Sequence, residues 1–329
     1  EAIESFDAAR LLCPAGNNLK LEADILDDRG RLAHNEKLYA SALDYFEKAL
    51  NVRYAILPHE LLRSTVGDYK TRLQAQEGLQ EMGKKLVHRL LEKGPHVCAA
   101  EGPALQSSDV HHRKLFGELA DTLVNFGRVY RAAGDSADVR EWSEKTFKRI
   151  YKGGYLEEAL FWFEAALGAQ FLEFQTTFND SLATTVSHIG RVALTNGDFD
   201  KATKLFDISL GMKKRLYGEE QANESIASGL YNVAEAESRR GELLNSRNDP
   251  AGALQAYSIA FSKYKAGLDM LRSLFVDANQ KKRVETRLGI ARLHELVANL
   301  STSMPASRID LQAECTSLSK DCETYMNMA

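Results

Sequence analysis

The side chains able to do chemistry are few and scattered along this chain. Asp109, His111 and His112 stand together and would suit a metal ion or a proton transfer. A metal centre needs three or four converging ligands, and no second cluster follows at ligand spacing. Gly83-Lys84-Lys85 is the nearest approach to a phosphate loop, but it lies inside a helical pattern and lacks the GxxxxGK frame with its following Ser or Thr. None of the eight His belongs to a Ser or Cys nucleophile motif. His34, His188 and His294 recur at similar places in the repeat pattern described below, which suggests groove or interhelical positions. The reading is therefore of a chain that is not an enzyme, with no catalytic residue, no cofactor and no metal.

Cys13, Cys98, Cys315 and Cys322 form no CxxC pair, so free thiols in a reducing compartment are expected. Basic clusters occur at Lys84-Lys85 with His88-Arg89, at Lys213-Lys214-Arg215 and at Lys281-Lys282-Arg283. Each alternates with apolar residues at helical spacing, which reads as a solvated helix face and predicts no nucleic-acid partner. A net charge of -4 and the absence of long acidic or basic runs point to no class of charged polymer. Apolar runs such as Ala159 to Leu167 are shorter than the ~20 residues of a membrane span, so no transmembrane segment is expected.

The elements that carry these residues are helices. The apolar set Leu62, Val66, Tyr69, Leu73, Leu79, Met82, Leu86 and Leu90 keeps the helical period, and no stretch alternates with period two. The strongest internal signal is a repeated cadence of small and aromatic residues. Gly30-Arg31 leads to Ala42, Phe46 and Ala49; Gly190-Arg191 leads through Asn196-Gly197-Asp198 to Ala202 and Phe206. Gly241-Glu242 leads through Asn248-Asp249-Pro250 to Ala253, Tyr257 and Ala260. Gly127-Arg128 with Gly134-Asp135 repeats the first half, and Tyr155 to Ala159 with Phe163 and Ala166 repeats the second. Such spacing suits paired antiparallel helices, with Gly and Ala where they cross and the aromatics between one hairpin and the next. A hairpin alone cannot bury both faces, so stacking is required.

These positions resemble the tetratricopeptide repeat, and the stretch from Gly197 to Leu271 is similar to the longer repeats of kinesin light chains. The shared features are Asn-Gly-Asp-Phe-Asp-Lys-Ala at 196 to 202 and Lys-Arg-Leu-Tyr-Gly at 214 to 218. The resemblance spans about residues 20 to 56 and 120 to 275. It implies an all-α solenoid of stacked antiparallel hairpins with about twelve helices, the last two near 278–302 and 305–327. The expected organisation is an N-terminal arm over 1–19, hairpins with long helices over 20–106, a repeat core over 107–277 and capping helices over 278–329. The register near 60–106 and 138–152 is open, since the helix at 138–152 would suit the end of one hairpin or the start of the next.

In the resembling family the first helix of each pair lines a concave surface. Carried onto this chain, that geometry exposes Asp27, Arg31 and His34, then Val124, Arg128 and Arg131, then Ser187, Arg191 and Leu194, then Ser238, Glu242 and Asn245. Arg forks there suit carboxylates or peptide carbonyls of a partner, or else acids of the neighbouring repeat. Asn125 occupies the place where peptide-binding members hold a ligand backbone, but the equivalent neighbours are Asp28, His188 and Arg239. Phe161, Trp162 and Phe163 cannot all point inward, which makes one of them, Trp162 included, a candidate exposed contact. The candidate partner-binding residues are thus Arg31, Asn125, Arg128, Arg131, Trp162, Arg191, Glu242 and Asn245.

The function these readings imply is a non-catalytic scaffold for other proteins, held as folded subunits or peptide segments, and a structural subunit of a larger assembly. The alternative is a reversible peptide-binding adaptor of the kinesin light-chain kind. Residue 1 is Glu, compatible with a trimmed chain or with one matured by removal of a presequence. Cytoplasmic and mitochondrial locations both stay open, and an accessory subunit of an organellar complex such as mitochondrial ATP synthase is one specific form.

Overall fold

A computed structural model describes residues 19–57, 72–94, 110–147, 154–174, 179–219, 221–274 and 281–298, with single positions at 311, 313 and 316. Among these residues there is no strand. The helices are α1 (Leu19–Asn35), α2 (Tyr39–Ile56), α3 (Arg72–Lys93), α4 (Val110–Ala133), α5 (Ala137–Phe147), α6 (Gly154–Phe174), α7 (Asp180–Thr195), α8 (Phe199–Tyr217), α9 (Glu224–Ser246), α10 (Pro250–Leu274) and α11 (Lys281–Ala298). The chain divides into two compact units, residues 1–192 and 193–329, with the division falling inside α7.

The tight turns between paired helices share one construction. After α1, α7 and α9 the chain turns back through Lys37 (φ 63°), Gly197 (φ 80°) and Asn248 (φ 60°). Leu38 N–H then donates to the Ala33 carbonyl at 2.8 Å, Asp198 to Ala193 at 2.9 Å and Asp249 to Leu244 at 2.9 Å. Each bond satisfies a carbonyl that the helix end leaves open. The next helix starts at once: Asp198 accepts from Lys201 N–H at 3.2 Å, and Asp249 accepts from Gly252 N–H at 2.9 Å. Pro250 fits as the first residue of α10 because it needs no amide donor there.

The small-and-aromatic cadence holds the hairpins together. Ala42, Ala159, Ala202 and Ala253 are fully buried, as are the aromatics four positions on. Within unit 1, Phe46 of α2 lies directly over Gly30 of α1, and Phe163 of α6 over Gly127 of α4. In unit 2 Tyr257 of α10 covers Gly241 of α9 in the same manner. Each aromatic therefore closes its own hairpin as well as reaching outward: Phe46 meets Phe126 at 6.1 Å, and Phe163 stacks on His188 of α7 at 5.0 Å.

Of the stretches whose register the sequence left open, 72–94 and 138–147 lie within the described residues of unit 1. α4 and α6 form the hairpin, and the short α5 is inserted between them and packs against α2. α3 packs on α6 through a close crossing. A Cβ on Gly83 would fall inside the Glu164 carbonyl, and one on Gly168 inside the Leu79 carbonyl, so each glycine lets the other helix's backbone approach. Gln80 Nε2 donates to Glu164 Oε2 at 2.5 Å beside this contact. Gly83 thus serves packing.

Unit 2 is built on α9 and α10, with α8 on one side and α11 on the other. Tyr257, Phe261, Tyr264 and Leu268 of α10 bury against Ile290, Leu293 and Val297 of α11, and Leu311 joins the same cluster. The expected last helix near 305–327 otherwise lies outside the described residues, as do the N-terminal arm up to residue 18, Asp109 and the side chains of His111 and His112.

Two expectations are corrected here. Phe161 and Trp162 are both interior, at 7% and 1% exposure, because α6 is covered by both α3 and α4 and so has no free face on which to leave either ring. Trp162 stacks on Phe126 at 4.4 Å, so it is a core residue and not a partner contact. Lys213, read as part of a solvated basic cluster, is buried with its Nζ 3.4 Å from the Ser225 carbonyl.

Candidate partner-binding site

Four of the residues expected to contact partners gather at one end of the α1–α4 surface in unit 1. Arg31, His34 and Asn35 from the last turns of α1, Phe46 from α2, and Asn125 and Arg128 from α4 line a cavity of about 100 Å³. Arg131 stands near enough to His34 to act on its charge. Phe46, seated on Gly30, also lines this pocket.

The polar groups of this pocket are poorly satisfied internally. Arg31 pairs with Asp28 of its own helix at 2.6 Å, an exposed contact worth little. Arg128 is exposed and has no acid partner among the described residues. Partial desolvation of its guanidinium and the like charge of Arg31 both pull its pKa down. The Asn125 side chain is 6% exposed, and its amide makes no hydrogen bond among the described residues. His34 Nε2 is enclosed without a hydrogen-bond partner. Burial first, then the charges of Arg128 and Arg131, hold His34 below the usual histidine range, against a hydrogen bond to the Asn35 side chain that raises it.

Two turns toward the helix N-termini the same surface is acidic. Arg53 of α2 reaches between α1 and α4, bonding Asp27 at 2.5 Å, Asp24 at 2.9 Å and Thr122 Oγ1 at 2.9 Å. It also lies 3.4 Å from Glu118, which pairs with Lys20. Thr122 closes the circuit on Asp27 at 2.8 Å. Burial raises the Asp27 pKa, opposed by Arg53 and Thr122. Glu173 of α6 adds a further carboxyl against Gly117. Burial, with Asp121 and Glu118 nearby, pushes it up to about 7. Asp121 and Arg128 are separated by seven residues of helix, roughly 10 Å, so the surface carries an acidic and a basic pole.

The residues that the sequence placed along the groove differ in exposure, and of the first member of each set only Val124 is half-buried. Asp27, Ser187 and Ser238 are buried. They lie three residues before the small residue at the crossing, on the face that turns into the hairpin. Arg31 and Arg128 face solvent, while Arg131, Arg191, Glu242 and Asn245 are half-buried. Glu242 and Asn245 belong to unit 2, where Glu242 is engaged by Arg292 of α11 at 3.0 and 3.1 Å and by Arg239 at 3.6 Å. The Asp27–Arg53–Thr122 network and the Glu173 cluster were missed by sequence reasoning. Only the odd Arg53 amid the apolar run of α2 hinted at them.

Among the described residues no group of three or more His, Cys, Asp or Glu could hold a metal ion, and no helix is long and apolar enough to cross a membrane. No family model and no curated protein matches the chain. Among solved structures it is similar to BtubC (BKLC) from P. vanneervenii, at 14% identity over 94% of this chain and 92% of that one, with a TM-score of 0.37. It is also similar to yeast Tom70, at 13% identity over 93% and 96% of the two chains, with a TM-score of 0.13. Likenesses this loose establish neither a family nor an activity.

Proposed function

We propose that the chain is a non-catalytic protein-interaction scaffold of the tetratricopeptide type, and that the pocket of Arg31, Asn125 and Arg128 is where it docks an acidic side chain of another protein. The observation that carries this reading is the convergence on one pocket, from helices some ninety residues apart in sequence, of Arg31 with Arg128 and Asn125, Arg128 having no acid partner among the described residues. A carboxylate would accept hydrogen bonds from the Arg128 guanidinium and from the Asn125 amide, charge-assisted because the acceptor is ionised. Repeated Gly-to-aromatic closures support the tetratricopeptide assignment, and the same proposal carries the division into arm, long-helix hairpins, repeat core and caps.

The pocket favours capture of a segment or loop projecting from the partner. Permanent membership of a larger assembly, an organellar one included, is the other form, and both use the same contact. Arg191, Glu242 and Asn245 are secondary candidates in this reading, since Glu242 is already spoken for by Arg292.

The test is quantitative co-purification from the native source with the tagged full chain, wild type against Arg128→Glu. The introduced carboxylate would pair with Arg31 and fill the pocket from within. Loss of charge-assisted bonds worth roughly 1.5–3 kcal/mol predicts partner recovery lowered by about 10- to 100-fold. Lys84→Glu, on an exposed face of α3, should leave recovery unchanged. Equal recovery with Arg128→Glu and wild type would remove the pocket from the account.

A further inference from the structure

We propose that the Arg31–His34–Arg128 pocket takes up an acidic group and a proton together, His34 becoming imidazolium as a partner carboxylate enters, so that docking tightens as pH falls. This rests on the reading of the pocket as a docking site.

Unit 2 contains a worked example of the contact. Gly241 and Tyr257 stand sixteen residues apart, as Gly30 and Phe46 do, which sets Glu242 in the place of Arg31. There the Glu242 carboxylate receives both bonds of the Arg292 fork, at 3.0 and 3.1 Å, beside the covered tyrosine. The chain fills that position itself. In unit 1 the same position is an arginine, so Arg31 and Arg128 repel and a carboxylate must come from outside.

His34 is placed to register its arrival. It follows Arg31 by one helical turn and lines the cavity, with Nε2 enclosed and unpartnered. The groups facing it are Arg31, whose charge is shared with Asp28, and Asn35 on its own helix; the Tyr39 ring of α2, edge-on at 5.9 Å; and Arg128 and Arg131 of α4. No carboxylate among the described residues acts on the ring directly, and Arg128 and Arg131 both oppose its protonation. The empty pocket therefore keeps His34 neutral. A carboxylate on Arg128 offsets those cations and supplies the anion that an imidazolium needs.

The sign follows from linkage. Occupancy raises the proton affinity of His34, so carboxylate affinity rises as pH falls through the His34 pKa of the occupied pocket. It levels off below the pKa of the empty one. A one-unit difference between the two means tenfold tighter docking at the acid plateau than at the alkaline one.

The experiment is an NMR pH titration of the full chain with 15N-labelled histidine, the His34 signal being identified by its loss in His34→Gln. Arg31→Glu supplies a tethered carboxylate at the place Glu242 holds in unit 2, and Arg31→Gln removes the same positive charge without adding a negative one. Arg31 is exposed, so both variants should fold. The expected result is a His34 pKa at least one unit higher in Arg31→Glu than in Arg31→Gln. A similar rise is expected in the wild type when it is saturated with the capped peptide acetyl-Glu-Glu-Glu-Glu-amide. Equal pKa values in the two variants overturn the coupling. Peptide that binds while His34 stays unmoved also overturns it, and leaves the docking reading standing. A shift in Arg31→Glu with no peptide binding to the wild type supports the coupling and removes the docking reading.

Discussion

Arg53→Ala is expected to destabilise unit 1 by about 3–5 kcal/mol, the range for removing one member of a buried ion pair. The substitution strands Asp27, 2% exposed, between α1 and α4 with the Thr122 hydroxyl and the more distant charge of Arg31 left to answer it. The loss is larger than that of an ordinary surface arginine because one guanidinium bridges three helices. Trp142 and Trp162 are the only tryptophans of the chain and both lie in unit 1, so urea unfolding followed by their fluorescence reports on that unit. The pH dependence has a definite sign. Burial already holds the folded-state pKa of Asp27 above its ordinary value, and loss of Arg53 raises it further, so the added penalty is full at alkaline pH and shrinks as Asp27 protonates at lower pH. Replacing both residues by leucine should restore most of the stability, since an apolar pair leaves no buried charge. A loss for Arg53→Ala below 1 kcal/mol would mean that the network does not hold α1, α2 and α4 together.

Gly83→Ala is the second large effect, expected at about 3 kcal/mol in the same fluorescence assay. The methyl group would collide with the Glu164 backbone carbonyl, which cannot rotate aside as a side chain can. Alanine's better helix propensity returns only about 1 kcal/mol. Gly168→Ala should cost a comparable amount, since its Cβ would meet the Leu79 carbonyl in the reciprocal contact. The two together should cost less than their sum, because once α3 and α6 have moved apart the second methyl finds space. Lys84→Ala, at the exposed neighbouring position, should be near neutral.

What the sequence disclosed was the part of the fold written in side-chain size. Gly30, Gly127 and Gly241 announce close helix contacts because nothing larger fits beneath Phe46, Phe163 and Tyr257. The Asp198 and Asp249 starts were legible for a similar reason: a short acceptor before a helix has few other uses. The turn at Lys37 was not, since a lysine at positive φ carries no local signature and is held there by the helices on either side. Nor was the α3–α6 crossing, whose partners are some eighty residues apart and whose glycines, Gly83 and Gly168, look like ordinary breaks in a helical pattern.

Of the site, the residue types were readable and their pairing was not. Arg31 and Glu242 hold equivalent places in the cadence, yet one faces a like charge and the other an opposite one. That difference depends on what the next helix presents, Arg128 or Arg292, and no spacing rule within a single hairpin contains it. Trp162 was misjudged on similar grounds: three consecutive aromatics exceed what one packed face accepts, but α3 gives α6 a second. Asp27 was placed in the groove when it belongs behind it, because its partner Arg53 comes from a helix the groove pattern does not include.

The most direct test of the docking pocket is hydrogen exchange of the full chain with and without the partner recovered by co-purification. The account predicts slowed exchange over the C-terminal turns of α1, residues 30–35, and over residues 124–133 of α4, with the N-terminal half of α3 unchanged. Protection confined to other segments, with 30–35 and 124–133 exchanging as in the free chain, would contradict it.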